Sequence, residues 1–189
     1  AWGYNTDLAF NMSGGSGNSL AAYQSEDAHI TRTRFKVLRA NANYLSTLGD
    51  WLWSVRGQLQ YSPDALISGE QLGLGGATSV RGTSERPISG DRGLFTSLEL
   101  STPELQPGLR LVGFVDAGWL RNNNPNGNPR PASDKLASVG LGMRYNAGMV
   151  GIAAEWARIV TGSVLASPAN TAIPGAGDNK FHLNLTARF

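Results

Sequence analysis

Along most of this chain apolar and polar residues alternate one by one, in runs broken by Gly, Pro, Asn and Ser, and a period of two predicts β-strands. In the first run, residues 1–13, Trp2, Tyr4, Thr6, Leu8, Phe10 and Met12 share one face and Gly3, Asn5, Asp7, Ala9 and Asn11 the other. Runs at 29–45, 51–62, 94–102, 109–120, 135–145, 149–159 and 180–189 repeat the pattern. The connections have a rhythm too. Those at 46–50, 103–108 and 146–148 are short, whereas those at 14–28, 63–93, 121–133 and 161–179 are long.

Such a chain builds either a soluble sandwich, whose apolar face is core, or a membrane barrel, whose apolar face meets lipid. Ring placement favours the membrane. If the short turns share one side, Trp2, Tyr4, Tyr44, Trp51, Trp53, Tyr145 and Phe189 lie near that rim, and Tyr61, Trp119, Trp156 and Phe181 near the other. Two belts of amphipathic rings suit two membrane–water interfaces. The expected fold is therefore all-β, an antiparallel up-and-down transmembrane β-barrel segment of about eight strands spanning residues 1–189 as one unit.

Composition narrows the function. No run of about 18 apolar residues occurs, which excludes transmembrane helices but not strands that show lipid every second side chain. The absence of cysteine removes disulfides and thiolate metal sites. A formal charge of +2, with cations spread along the chain, argues against a nucleic-acid partner. No metal constellation or cofactor fingerprint stands out, so no cofactor is expected. The start of the chain lacks the succession of basic, apolar and small residues that marks a signal peptide.

The stretch 72–93, LGLGGATSVRGTSERPISGDRG, is too long for a turn and too patterned for a linker. Its glycines permit close approach of the backbone to a wall, and Arg81, flanked by Val80 and Gly82, is free to reach out. In the last run Phe181, Leu183, Leu185, Ala187 and Phe189 share one face, and His182, Asn184, Thr186 and Arg188 the other.

The VRG of this stretch, its SGDRG at 89–93, the FVDAG at 114–118, the SVGLGMRY at 138–145 and the Phe-ended last run together resemble the C-terminal half of a two-partner secretion transporter. This is the haemolysin-activator type of outer-membrane protein, related to the barrel-assembly proteins. The resemblance implies a bacterial outer-membrane location and a parent barrel of about sixteen strands, of which this chain supplies half. It implies translocation of an unfolded partner polypeptide, with the loop of Val80, Arg81 and Gly82 folded back into the lumen as a gate. Arg81 would pair with Asp116 of the Phe114, Asp116, Gly118 motif, Gly118 leaving space beside it and Glu155 serving as a second carboxylate. Phe181, Leu183, Leu185, Ala187 and Phe189 would be read by the barrel-assembly machinery. Outer-membrane lipid or detergent would cover the apolar face, and open edges would allow self-association.

Two departures from the family matter. Thr83 stands where the family has an aromatic after VRG, so the packing that ring provides is expected to be weaker or absent. The family's preceding domains, plug helix and about eight earlier strands are not within these residues, as in a truncated barrel. Eight strands closed on themselves would leave a lumen filled by side chains and force the loop outside. Two copies meeting edge to edge would admit it.

The alternatives are a small structural or adhesive barrel and, less favoured, a lipid- or peptide-hydrolysing barrel enzyme. The enzyme would use His182 with Glu155, or His29 at the rim. Because a histidine lining a polar lumen is more often only a wall residue, no catalytic residue is expected. The stretches 15–19 (GSGNS) and 122–129 (NNNPNGNP) read as disordered spacers.

Overall fold

A computed structural model of the chain describes residues 1–10, 19–126 and 130–187. In chain order its elements are β1 (Trp2–Phe10), α1 (Leu20–Glu26), β2 (Lys36–Leu48), β3 (Trp51–Tyr61), β4 (Leu72–Leu74), β5 (Ile88–Gly90), β6 (Arg92–Ser101), β7 (Leu109–Arg121), β8 (Ser133–Ala147), β9 (Val150–Thr161) and β10 (Asn179–Ala187). Eight strands form one antiparallel sheet, β1-β2-β3-β6-β7-β8-β9-β10, and β4 pairs with β5 in a second sheet of two. The large sheet is up-and-down throughout, and β1 and β10 are its edges. It does not close on itself. The concavity that closure would consume is filled by the β3–β6 connection, which closure of the eight strands on themselves would have expelled.

The two faces follow the alternation in the sequence. Leu111, Val115 and Trp119 of β7 are 47%, 49% and 45% exposed, whereas Asp116 between them is 0% exposed. In a soluble core those values would be reversed, so the apolar side is the lipid side. On the outer face Trp2, Tyr4, Tyr44 and Trp51 are exposed toward the short turns, and Tyr61, Trp119, Trp156 and Phe181 toward the long loops. Phe189 lies outside the described residues.

Strand limits differ from the expected ones where local chemistry intervenes. β2 starts at Lys36 because Ile30 and Phe35 turn inward, Phe35 packing with Val37 and Leu66 beneath the loops. At its other end β2 continues to Leu48, opposite Trp51, leaving a two-residue turn. Gly49 opens that turn at φ +59, a region that glycine enters without penalty. Within the stretch expected to be loop lies helix α1. Ser19 starts it, its Oγ accepting from the N–H of Ala22 at 3.1 Å.

The 62–91 connection is itself folded. A 3-10 turn at Ser68–Glu70 precedes the β4/β5 ribbon, in which Leu72 opposes Gly90 and Leu74 opposes Ile88. Leu72, Leu74, Val80 and Ile88 then pack against Phe95, Leu120, Leu136 and Ile159 on the inner face of β6–β9. Inward positions near the long loops are thus apolar, not the uniformly polar lumen wall that alternation predicts. Each such side chain removed from water contributes about 1.5–3 kcal/mol, so the loop is seated on the wall by burial.

Candidate functional site

The ribbon and its apolar contacts deliver Arg81 to the middle of the inner face. Gly82 follows it at φ +99, where a Cβ would lie 3.2 Å from the carbonyl oxygen of Ala157 on β9. Only glycine accommodates both the dihedral and the approach. Val80, on the other side of Arg81, is 0% exposed within the apolar cluster. One neighbour anchors the loop by burial and the other lets it lie against the wall.

Arg81 is 1% exposed, and its backbone and side-chain N–H groups all find acceptors. Its Nε and Nη2 donate to the two oxygens of Asp116, each at 2.8 Å, and its backbone N–H donates to Asp116 Oδ2 at 3.1 Å. This is the two-pronged guanidinium–carboxylate geometry, the strongest that a side-chain pair offers. Nη2 also donates to Ser97 Oγ at 3.1 Å, and Nη1 to Glu99 at 2.7 Å and Glu155 at 3.2 Å. Phe114 completes the enclosure, its ring centroid 3.4 Å from the guanidinium carbon.

A second cation shares the glutamates. Arg144 of β8 donates through Nη2 to the remaining oxygens, at 2.7 Å to Glu99 and 3.2 Å to Glu155. Each glutamate is therefore divided between a loop arginine and a wall arginine. Two guanidinium groups face three carboxylates, an arrangement that leaves no buried cation unpaired.

Glycines shape the wall around this cluster. A Cβ on Gly140 would run into the Phe114 ring and the carbonyl oxygen of Trp156, so Gly140 makes the space in which the ring lies under Arg81. The expected vacancy beside Asp116 at Gly118 is occupied otherwise. Leu74 of the loop fills it, within 2.6 Å of where a Cβ would stand. Thr83, in place of an aromatic, is 5% exposed, and its Oγ1 accepts from the N–H of Gly76 at 2.9 Å while lying 2.8 Å from the carbonyl of Ser84. Hydrogen bonds within the loop hold that position where ring packing is absent.

The structure thus brings Val80, Arg81, Gly82, Phe114, Asp116, Gly118 and Glu155 together within a single chain. It adds Ser97 and Glu99, and gives a place in the site to Gly140 and Arg144, which the 138–145 motif contains without an assigned role. The inward parity of Glu99 and Arg144 was a readable signal, and the register that sets Ser97 opposite Asp116 was not.

A second polar knot ties the loop to its neighbours nearer the long-loop rim. Asp91 of the SGDRG motif is 0% exposed. It accepts from the N–H of Leu66 at 2.9 Å, the N–H of Asn123 at 2.7 Å, Gln71 Nε2 at 3.1 Å and Arg130 Nη1 at 3.3 Å. Arg130 also donates to Asp27 and, at 2.6 Å, to the carbonyl of Leu66. Asn123 Nδ2 reaches the carbonyls of Ser62 and Asp64. This corrects the reading of 122–129 as spacer for its described part, 122–126, whose asparagines are fastened. Of the 15–19 stretch, 15–18 lie outside the described residues, and Ser19 caps α1.

The histidines form no catalytic pair. His182 stands opposite Glu155 in the β9–β10 register, but both Glu155 oxygens are engaged by arginines and His182 Nε2 has no partner among the described residues. His29 lies instead 3.1 Å from Asp27, in the loops. On β10, Phe181, Leu183 and Leu185 are exposed in a row with Ala187 on the outer face.

Comparison with known proteins adds an independent line. Residues 3–145 match the family model described as haemolysin secretion/activation protein ShlB/FhaC/HecB. The outer membrane transporter CdiB of Dickeya dadantii (strain 3937) is 40% identical over 105 residues, 52% of this chain and 18% of that protein. The CdiB of Escherichia coli O6:K15:H31 (strain 536 / UPEC) is 35% identical over 96 residues, 48% of this chain and 16% of that protein. Among solved structures, CdiB from Escherichia coli matches 82% of this chain at a TM-score of 0.64 and 24% identity. CdiB from Acinetobacter baumannii matches 82% at 0.60 and 22%. At that identity these two show the fold, and the chain covers 28% of each of them. The curated relatives are named as transporters, and the chain spans less than a fifth of their length.

Proposed function

We infer, because the chain belongs to the haemolysin secretion/activation family ShlB/FhaC/HecB, that it is part of the wall of an outer-membrane transporter. The transporter passes an unfolded partner polypeptide through its lumen, with the 62–91 loop as the gate. The observation that carries this reading is the burial of Arg81 among carboxylates of three strands of the wall, β6, β7 and β9. A loop charge placed so deeply is a latch. Losing one partner of a buried ion pair costs about 3–5 kcal/mol in a dry site and less as water enters.

Two unlike restraints hold the gate. The apolar seat of Leu72, Leu74, Val80 and Ile88 contributes burial without direction. The Arg81 cluster contributes direction, and it weakens when the lumen hydrates and the local dielectric rises. An entering polypeptide brings both water and competing polar groups, so it loosens the latch first. No chemical step is required, and folding of the partner outside the cell makes passage one-way. In the same reading, Phe181, Leu183, Leu185, Ala187 and the terminal Phe189 form the stretch recognised by the barrel-assembly machinery.

The test replaces Arg81 or Asp116 by alanine in the full-length transporter. Partner secretion into the medium falls at least roughly tenfold and leak conductance in planar bilayers rises, as expected for loss of a buried pair. The double variant is no worse than Arg81→Ala alone, because removing Arg81 already removes its contact with Asp116. Unchanged secretion by both single variants would rule out the gate.

A further inference from the structure

Charge is sorted by face across β6–β9 in a way that the latch does not explain. Every carboxylate on these strands, Glu99, Asp116, Asp134 and Glu155, points inward and is engaged there. The outer face carries only cations. Arg92, Arg121, Lys135 and Arg158 each lie between two buried neighbours: Asp91 and Gly93, Leu120 and Asn122, Asp134 and Leu136, Ala157 and Ile159. Their side chains therefore project from the opposite side of the pleat.

All four lie toward the end of their strands that carries the long loops. Arg92 opens β6, Arg121 closes β7, Lys135 is the third residue of β8 and Arg158 lies three residues before the loop end of β9. The outer face of these strands bears no charge at the short-turn end. Arg92 stands directly opposite Arg121 in the β6–β7 register, and Lys135 opposite Trp119 in the β7–β8 register. Like charges in direct opposition are unfavourable unless an anion lies between them. Among the described residues none is present, since the side chains of these four donate to no protein acceptor, and the Nε of Arg92 is enclosed without a partner.

We propose that Arg92, Arg121 and Lys135 form an outward site for the phosphates of an anionic glycolipid in the outer leaflet, with Arg158, opposite Val139 in the β8–β9 register, lying apart from it. Long loops of such barrels lie on the extracellular side and short turns on the periplasmic side, which sets the cations at the height of outer-leaflet headgroups. Guanidinium forks take phosphate oxygens in pairs, and Lys135 adds a compact charge. Trp119 stands directly opposite Lys135, as suits an interfacial ring, and the exposed side chains of Leu94, Leu98, Val115 and Val139 offer a bed for acyl chains. Simple snorkelling of long side chains toward water would serve either rim equally. Here one rim is cationic and the other neutral. This inference depends on the orientation of the wall and not on the latch.

The test uses the full-length protein in a neutral detergent, titrated with diphosphoryl lipid A and followed by native mass spectrometry. The protein is compared with Arg92→Gln/Arg121→Gln/Lys135→Gln and with the charge-keeping Arg92→Lys/Arg121→Lys. The glutamine variant loses affinity by roughly tenfold or more, as charge-assisted contacts are removed, and the lysine variant, which keeps the charge without the fork, loses less. Equal affinity in the wild type and the glutamine variant overturns the site. So does an equal loss of phosphatidylglycerol, which signals diffuse attraction, or full displacement by inorganic phosphate, which signals a site for the free ion. If the triple variant fails to insert, single Arg121→Gln and Lys135→Gln variants carry the same comparison, and retention of wild-type affinity by both overturns the proposal.

Discussion

At the scale of single residues, the Arg81 cluster depends as much on what is missing as on what is charged. Gly140 lacks the Cβ that would displace the Phe114 ring from beneath Arg81. A Gly140→Ala variant therefore pushes the ring into the guanidinium or the loop off the wall. Overpacking of this kind costs about 1–3 kcal/mol, and the expected outcome is a lower thermal midpoint of the folded protein in detergent. An unaltered midpoint would mean that the ring has another place to go. Thr83 makes the complementary point. Its hydroxyl bonds within the loop and not to the wall, so Thr83→Val loosens the loop's own fold while the bonds from Arg81 to Asp116 stay available.

At the scale of the element, the 62–91 loop is fastened at two depths. Arg81 holds its inner tip, and Asp91, with Arg130, Asn123 and Asp27, binds its base to the 122–132 loop and the segment after α1. At Asp27, burial opposes the charge, but the N–H of His29 and the guanidinium of Arg130 outweigh it and hold the carboxyl below its usual 3.8. A carboxyl lowered in the folded state contributes stability above its unfolded value and loses it as pH falls through the folded value. The contribution of Asp27 to the base of the loop is therefore lost in acid, below about pH 4. Cleavage of the loops by an acid-active protease should rise over that range in the wild type. In Asp27→Asn it should be raised already at higher pH and depend less on acid. Identical pH profiles would show that the knot stands without Asp27.

At the scale of the whole molecule, one sheet separates two solvents. Leu183 and Asn184 are neighbours on β10, the first exposed on the outer face and the second aligned with the inner. Placing the same charge at each site reads the difference directly. Arginine on the lipid face near the membrane midplane costs about 2–4 kcal/mol, while a lumen position accepts it. Leu183→Arg should lower the yield of heat-modifiable, folded protein, and Asn184→Arg should not. Equal loss from both would contradict the assignment of faces.

Alternation alone determined the strands, their faces and the rhythm of turns and loops, because a pleated strand sends neighbouring side chains to opposite sides whatever surrounds it. The final strand, the short hairpins and the lipid face were legible for that reason, and the VRG and F-x-D-x-G motifs pointed to a meeting of Arg81 and Asp116. What alternation could not reveal is who meets whom across the sheet and through the lumen. The sharing of Glu99 and Glu155 between Arg81 and Arg144, the seating of Leu74 against Gly118, and the binding of Asn123 to Asp91 join residues far apart in the chain. Only the register of the strands and the inward folding of the loop bring them within reach, so the tertiary structure alone decided that Arg81 is buried among carboxylates of three strands.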